Sequence, residues 1–165
     1  MTDLFPSAVP ILAEESLNGA PLAERLRPRG LSEIVGQDHL TGPEGAIGRM
    51  VAAGKLASII LWGPPGTGKT TMARLLAGAI GLRFEAVSAV LSGVADLKKL
   101  FASAREHALA GQRTLLFVDE IHRFNRSQQD SFLPFVEDGT IILVGATTEN
   151  PSFELNAALL SRAQV

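Results

Sequence analysis

The chain has 165 residues, 46% of them hydrophobic, which is enough for one domain with a buried core. Its net charge of −2 gives no electrostatic reason to expect tight nucleic-acid binding by this chain alone, and the absence of cysteine excludes disulfides and thiolate metal sites. No stretch approaches the length of a membrane span, and residues 1–10 lack the features of a secretory signal, so we expect a cytoplasmic protein without a membrane partner.

The segment before residue 58 contains a leader and two short helices in our prediction. Residues 1–20 have scattered apolar side chains without a period, which predicts a flexible leader. Within it, residues 3–5 look somewhat like the end of the short peptides that bind replication sliding clamps, although a loose terminus with one apolar anchor is the simpler interpretation. Helices are predicted within residues 31–37 and at residues 44–53, the second closed by Gly54.

A glycine-rich segment organises the rest of the chain. It has the pattern of a Gly, four residues and Gly-Lys-Thr that binds nucleotide phosphates: Gly63, Pro64, Pro65, Gly66, Thr67, Gly68, Lys69 and Thr70, followed by Thr71. The glycines let successive N–H groups turn towards phosphate oxygens, Lys69 reaches the β- and γ-phosphates of ATP, and the Thr70 hydroxyl is a ligand for Mg²⁺. A buried strand is predicted at residues 58–62 and a helix at residues 71–80, the context that this motif requires. A Gly/Pro-rich surface turn is the alternative.

The elements after this helix alternate between apolar strands and amphipathic helices. Strands are predicted at residues 83–87, 114–118 and 140–146, and helices at residues 94–110, 127–136 and 156–161. Gly81 and Gly111 end the helices before them, Pro134 distorts the end of the third helix, and Asp138 and Gly139 form a turn. This alternation predicts a parallel α/β sheet with crossover helices.

Two adjacent acids follow the strand at residues 114–118. Asp119 and Glu120 are therefore expected at the carboxyl end of a sheet, where ligands bind in open α/β folds. We assign Asp119 to Mg²⁺ and Glu120 to the base that deprotonates the attacking water. A solvated acidic turn is the alternative. A small-molecule kinase must keep water from the γ-phosphate, so a carboxylate base beside the metal ligand favours hydrolysis.

Other candidate residues are ambiguous from the sequence alone. A hydroxyl of Thr147 or Thr148, after the strand at residues 140–146, is placed to contact the γ-phosphate or the lytic water, but a simple Thr/Asn turn fits equally well. Arg162 is either an arginine that acts on a neighbour's nucleotide or an ordinary cation at a helix C-terminus. The three histidines have no metal-ligand spacing and are predicted to be ordinary surface or core residues: His39, His107 and His122.

Several stretches resemble an AAA+ ATPase and, more narrowly, the replication-associated recombination protein A family. The most specific are Asp-Glu-Ile-His-Arg-Phe-Asn at residues 119–125 and Ala-Thr-Thr-Glu-Asn-Pro at residues 146–151, which P-loop proteins in general do not share. The resemblance covers about residues 21–165, which we take as the nucleotide-binding core. It implies a P-loop NTPase sheet flanked by helices.

The resemblance also implies roles for residues. Val35 and Gly36 would line the adenine side of the nucleotide, and Ser88 would lie near the position that switches the catalytic glutamate. Thr148 matches the sensor-1 position, with Thr147 as the second choice.

Arg162 matches the arginine finger of the family's Ser-Arg-Cys motif. Ala163 replaces the Cys, which leaves the guanidinium in place and changes only its local packing.

Family members continue beyond the position of Val165 with the final strand, a helical lid and an oligomerisation domain. Residues 163–165 would only begin the final strand, so we expect that the rest of this strand and the lid are missing here, that one edge of the sheet is uncovered, and that ATP binding and turnover are weak. The resemblance implies DNA forks, gaps or ends as partners, with a single-strand-binding protein or a sliding clamp as further candidates. It implies a homo-oligomer only with the additional C-terminal part.

These observations lead to one functional prediction with three alternatives. We predict the Mg²⁺-dependent ATPase core of a DNA-acting protein in which Glu120, Lys69, Thr148 and Arg162 are catalytic. The alternatives are a nucleotide-gated binding module, a subunit like those of clamp loaders or Holliday-junction motors, and a small-molecule kinase.

Overall fold

The computed structural model of the chain describes residues 44–165 together with Leu22, Pro28, Gly30 and Gly42. The predicted leader, the predicted helix within residues 31–37, and Val35, Gly36 and His39 lie outside the described residues.

Five strands form one sheet in the described part of the chain. They are β1 (Ser58–Trp62), β2 (Arg83–Ser88), β3 (Thr114–Asp119), β4 (Ile141–Thr147) and β5 (Ala163–Gln164). Every pairing is parallel and the order across the sheet is β2-β3-β4-β1-β5. The carboxyl ends of all strands therefore meet at one edge, with the end of β4 between the ends of β1 and β3.

The helices of the described residues connect these strands. They are α1 (Ala46–Ala53), α2 (Lys69–Ile80), α3 (Val94–Leu109), α4 (Arg126–Ser131), α5 (Leu133–Glu137), α6 (Pro151–Glu154) and α7 (Ala157–Leu160), with a 3-10 helix at Ile121–Arg123. None of these helices has the length and apolar character needed to cross a membrane. The parallel sheet flanked by helices confirms the predicted fold class.

The core consists of two layers because successive strand residues point to opposite faces of the sheet. On one face, which α1 and α2 cover, Ile59 and Phe117 form a cluster with Met72 and Leu76 of α2. Ile60 and Leu116, which point to the other face, pack against α3, α5 and α7. Both faces are buried, which explains the nearly continuous apolar sequence of β1, β3 and β4.

The start of a final strand predicted at residues 163–165 is confirmed, whereas the prediction of an uncovered edge was wrong in part. Residues Ala163–Gln164 form β5 and pair with Ser58 and Ile59, so the first two residues of β1 are covered at this edge. Two residues are enough because parallel pairing needs only backbone groups in register, and α7 places Ala163 beside the start of β1.

The predicted helix at residues 127–136 is two helices. α4 ends at Ser131 and α5 begins at Leu133, with Phe132 fully buried between them. Pro134 has no N–H to donate to the carbonyl of Asp130, four residues earlier, and its ring clashes there, so one helix cannot continue through this segment. The 3-10 helix and α6 were not predicted, since both are short and lie next to turns.

Candidate active site

The glycine-rich loop leaves β1 and leads into α2. The N–H of Gly63 donates to the carbonyl oxygen of Thr147 at 3.1 Å, which attaches the start of the loop to the end of β4. Gly66 and Gly68 have φ angles of 77° and 82°, which favour glycine. These turns let α2 begin at Lys69, so the unpaired N–H groups of its first turn and its positive dipole end are available to an anion.

The ammonium group of Lys69 lies against the loop itself. Its Nζ donates to the carbonyl oxygens of Gly63 at 2.7 Å and Pro64 at 2.9 Å. The hydroxyl of Thr67 donates to the same Pro64 oxygen at 3.0 Å. The loop thus holds a cation on the inner side of its own curve, as binding of a phosphate chain requires.

The two predicted acids are at the end of β3. Asp119 is the last residue of the strand, and its carbonyl oxygen accepts the N–H of Ala89 at 3.0 Å. Glu120 has φ 53° and ψ 46°, a left-handed conformation that costs a non-glycine residue about 1–2 kcal/mol. This conformation turns the chain directly into the 3-10 helix.

The loop and the acids share one cavity of about 650 Å³. The side chain of Thr148 also lines it. The complete lining is Pro65, Gly66, Thr67, Gly68, Lys69, Thr70, Thr71, Asp119, Glu120 and Thr148. The volume is within the usual range for small-molecule sites, and a cation, helix N–H groups and two carboxylates converge there.

The donors in this cavity fit a magnesium ion. Mg²⁺ prefers oxygen ligands and usually takes only one or two from the protein, with phosphate oxygens and waters as the others. The hydroxyl of Thr70 and the carboxylate of Asp119 both line the cavity. The described residues contain no group of three His, Asp or Glu side chains that could hold a metal ion by themselves.

Thr147 and Thr148 have different surroundings. Thr147 is fully buried, and its hydroxyl lies 2.8 Å from Nδ1 of His122 and accepts the N–H of Glu149 at 3.0 Å. Thr148 is half-buried and lines the cavity. Thr148 is therefore the residue of this pair that can contact a bound nucleotide.

His122 is the site residue that sequence reasoning missed. It was predicted to be an ordinary histidine, yet Nε2 lies 3.3 Å from Oε2 of Glu120. Its position two residues after Glu120 was the available signal. His107 does fit that prediction: it is half-buried on α3, where Nδ1 lies 2.7 Å from the carbonyl oxygen of Ser103.

Arg162 lies away from this cavity. It lines a small cavity with Ser58 and Ile141, the first residues of β1 and β4, so it is near the opposite edge of the sheet. There its guanidinium forms an ion pair with Glu137 at 2.6 Å. Ser88 is also outside the phosphate cavity and lines a groove between β2 and α3.

The fold and the shared cavity define this chain as a P-loop nucleotide-binding domain. More particularly, it belongs to the AAA family, the ATPase family associated with various cellular activities, which matches residues 59–165. Within that family, its relatives support the predicted assignment to the replication-associated recombination protein A family.

Several curated relatives carry the name replication-associated recombination protein A, and two of them illustrate the match. The protein of Escherichia coli K12 is 57% identical over 145 residues, and that of Coxiella burnetii is 59% identical over the same length. Each match covers 88% of this chain and 32% of the relative, so the chain spans about a third of the length of these proteins. A solved structure, the Thermotoga maritima RuvB Holliday junction branch migration motor, superimposes with a TM-score of 0.68 at 32% identity, covering 84% of this chain and 47% of that chain.

Proposed function

We propose that this chain is the ATP-binding and ATP-hydrolysing core of a DNA-acting AAA ATPase that works in replication-associated recombination and repair. The observation that carries the proposal is the single cavity lined by the glycine-rich loop, Asp119, Glu120 and Thr148. Such a cavity can bind a triphosphate and direct water at its last phosphate, which is the requirement for hydrolysis.

The proposed role of each residue follows from its position. The loop N–H groups and Lys69 bind the phosphates and stabilise the charge that develops during transfer. Glu120 accepts a proton from the attacking water, and the hydroxyl of Thr148 orients that water or the γ-phosphate. Thr70 and Asp119 would hold Mg²⁺, which neutralises charge on the phosphate oxygens when bound.

We propose that the adenine base lies on the α1 side of the loop. An apolar cavity of about 430 Å³ lies there, lined in part by Ile47, Met50 and Trp62. It shares Thr67 and Lys69 with the phosphate cavity, so one nucleotide can extend from one cavity to the other. Val35 and Gly36 remain the family-implied residues for the adenine side.

We propose that Arg162 acts on the nucleotide of a neighbouring subunit. It is near the opposite edge of the sheet from the phosphate cavity, so it cannot reach the nucleotide of its own protomer. An isolated protomer should therefore bind ATP but turn over slowly. This remoteness also favours the second candidate function, a nucleotide-gated binding module in which hydrolysis only resets the bound state.

The proposal for DNA rests on the relatives. Two are named for replication-associated recombination, and the solved structure is a Holliday junction branch migration motor. We propose forked, gapped or broken DNA as the partner of the assembled protein, in the cytoplasm, with a single-strand-binding protein or a sliding clamp as further candidates.

ATP binding can be measured with the chain's single tryptophan. Trp62 is 55% exposed, directly precedes the loop and lines the apolar cavity, so its fluorescence should change when ATP binds. Lys69→Ala should weaken this titration at least tenfold. Lys98→Ala, an exposed change on α3, is the matched control. A wild-type chain whose fluorescence and calorimetric titrations show no ATP binding would refute the proposed function.

Hydrolysis separates the two candidate functions. Glu120→Gln should abolish phosphate release while leaving the Trp62 titration intact, because only the base is lost. Release should be compared with and without forked or gapped DNA. If this variant still supports fork repair in cells, the binding-module function is favoured over the hydrolytic one.

Mixing two inactive variants tests the role of Arg162. Lys69→Ala lacks a working phosphate site and Arg162→Ala lacks the donated arginine, so a mixed assembly should recover part of the ATPase rate. Glu137→Gln removes only the ion-pair partner of Arg162 and should cost less than about 1 kcal/mol of unfolding free energy, since the ion pair is exposed. No recovery from a mixture that forms mixed oligomers would contradict action in trans.

A further inference from the structure

The side chain of His122 connects Glu120, the proposed catalytic base, to the sheet. His122 is only 9% exposed in its 3-10 helix, and its Nε2 lies 3.3 Å from Oε2 of Glu120. Its Nδ1 lies 2.8 Å from the hydroxyl oxygen of Thr147. The imidazole therefore bridges the acid that follows β3 and the last residue of β4.

The chemistry of the three groups determines which atoms carry protons. The 3.3 Å between Nε2 and Oε2 is an ion-pair distance, and a carboxylate offers only acceptor oxygens, so we assign a proton to Nε2, which faces Glu120. We assign Nδ1 as the acceptor of the Thr147 hydroxyl at 2.8 Å, which is shorter than the 3.2 Å from that hydroxyl to its other acceptor, the carbonyl oxygen of Glu149. In this assignment the Thr147 hydroxyl directs its proton at His122, and His122 directs its proton at Glu120.

The contacts of Thr147 fix its position and therefore the position of the His122 ring. Its side chain is fully buried, and its hydroxyl oxygen also accepts the N–H of Glu149 at 3.0 Å. Its carbonyl oxygen accepts the N–H of Gly63, the first residue of the phosphate-binding loop, at 3.1 Å. Thr147 thus contacts the loop, the segment with Thr148 and, through His122, the acid.

Glu120 needs such a restraint. Its backbone is in the left-handed region, and its carbonyl oxygen accepts the N–H of Arg123 at 2.9 Å. Its side chain is 29% exposed, so water competes for the carboxylate wherever the protein does not hold it. The contact with His122 engages Oε2 and leaves Oε1 to accept a proton.

We propose that His122 is a positioning residue for the catalytic base: together with Thr147, it holds the carboxylate of Glu120 in a fixed orientation relative to the phosphate-binding loop. This inference rests on the proposed ATPase function. The restraint comes from β4, on the sensor side of the site, whereas Ser88 of β2 lines a different groove.

Two variants remove the restraint at different atoms. His122→Phe keeps a ring but cannot donate to Glu120, and Thr147→Val keeps the shape but removes the hydroxyl. Each should lower kcat by about tenfold, part of the 10²–10⁴-fold that a positioned base supplies, while KM for ATP changes less than threefold. The double variant should be no slower than either single one because both act through the same series.

Matched variants distinguish positioning from packing. His122→Gln has an amide that can donate to Glu120 and accept from Thr147, so it should recover at least a third of the wild-type kcat. His107→Phe removes a half-buried histidine with a similar bond on α3 and should leave kcat unchanged. In a Glu120→Gln background, which lacks the base, His122→Phe should have no further effect on the residual rate.

Other outcomes would overturn the inference. An unchanged kcat in His122→Phe would do so, as would a loss that appears in ATP affinity and thermal stability instead of kcat, or a full further loss in the Glu120→Gln background. These assays use the full 165-residue chain with forked DNA present.

NMR spectroscopy tests the contact between His122 and Glu120 without a measurement of ATP hydrolysis. Long-range proton–nitrogen NMR of the histidine side chains should show the Nε2–H form of His122, and Glu120→Ala should shift that Nε2 resonance while Lys98→Ala does not. A resonance insensitive to Glu120→Ala would overturn the inference. A wild-type chain that has this resonance but never hydrolyses ATP would instead refute the proposed function, with the restraint of Glu120 by His122 intact.

Discussion

Gln129 gives the sharpest test of how the site is held together. Its side chain is 2% exposed in α4 and bonds to three backbone groups from two distant segments. Nε2 donates to the carbonyl oxygens of Phe124 at 2.9 Å and Glu154 at 3.2 Å, and Oε1 accepts the N–H of Asn156 at 2.9 Å. One amide thus joins the segment after Glu120 to α6 and the start of α7.

Gln129→Leu keeps the volume but leaves these three backbone groups without partners. A hydrogen bond contributes about 1 kcal/mol net, and a buried group left unsatisfied costs about 1–3 kcal/mol. Because leucine regains part of this by hydrophobic burial, we expect a loss of about 3 kcal/mol in unfolding free energy. For a chain of this size that corresponds to a fall of about 6–12 °C in Tm.

Urea unfolding followed by circular dichroism measures this loss. Ser127→Ala, an exposed change on the same helix, is the control and should stay within about 0.5 kcal/mol of wild type. Gln129→Glu should cost at least as much as Gln129→Leu at neutral pH, because it buries a charge and turns a carboxylate oxygen towards the carbonyl oxygens of Phe124 and Glu154. A loss below about 1 kcal/mol for Gln129→Leu, with an unchanged urea slope, would refute the reasoning.

Two further predictions concern the turn just before β4 and the middle of that strand. Hydrogen bonds from the hydroxyl and the N–H of Thr140 hold the pKa of Asp138 below its ordinary value of 3.8. The charged carboxylate therefore stabilises the fold above about pH 4, and this contribution is lost as the pH falls through the folded-state pKa. Thermal melts should find Asp138→Asn less stable than wild type at pH 7, with a difference that shrinks below pH 3.8. Gly145→Ala would place a Cβ atom 2.9 Å from the terminal methyl groups of Ile121 and Ile60, so we expect a loss of about 1–3 kcal/mol in urea unfolding. An unchanged midpoint for Gly145→Ala would contradict the close packing of Gly145 against Ile121 and Ile60.

The sequence was sufficient for features that depend on local chemistry. The glycine-rich loop needs left-handed backbone at Gly66 and Gly68, and only the residue type and spacing encode that requirement. The apolar runs of β1, β3 and β4 indicated a doubly covered parallel sheet because both faces are buried. The position of Asp119 after β3 was enough to place it at the edge where β1 also ends.

Other features depend on which strands are neighbours, and this is not encoded locally. The sheet order puts β4 between β1 and β3, so Thr147 contacts both the loop and His122 although these residues are far apart in sequence. Whether Thr147 or Thr148 faces the cavity depends on where the pleat of β4 ends, and a change of one residue exchanges the two faces.

The sequence by itself determined that phosphate-binding and acidic groups are present in a parallel α/β fold. The tertiary structure decided which groups meet: His122 with Thr147 beside the phosphate-binding loop, and Arg162 with Glu137 near the opposite edge of the sheet. The physical reason is that turn chemistry and burial are properties of short segments, whereas a contact between side chains depends on the order and register of strands packed around a common core.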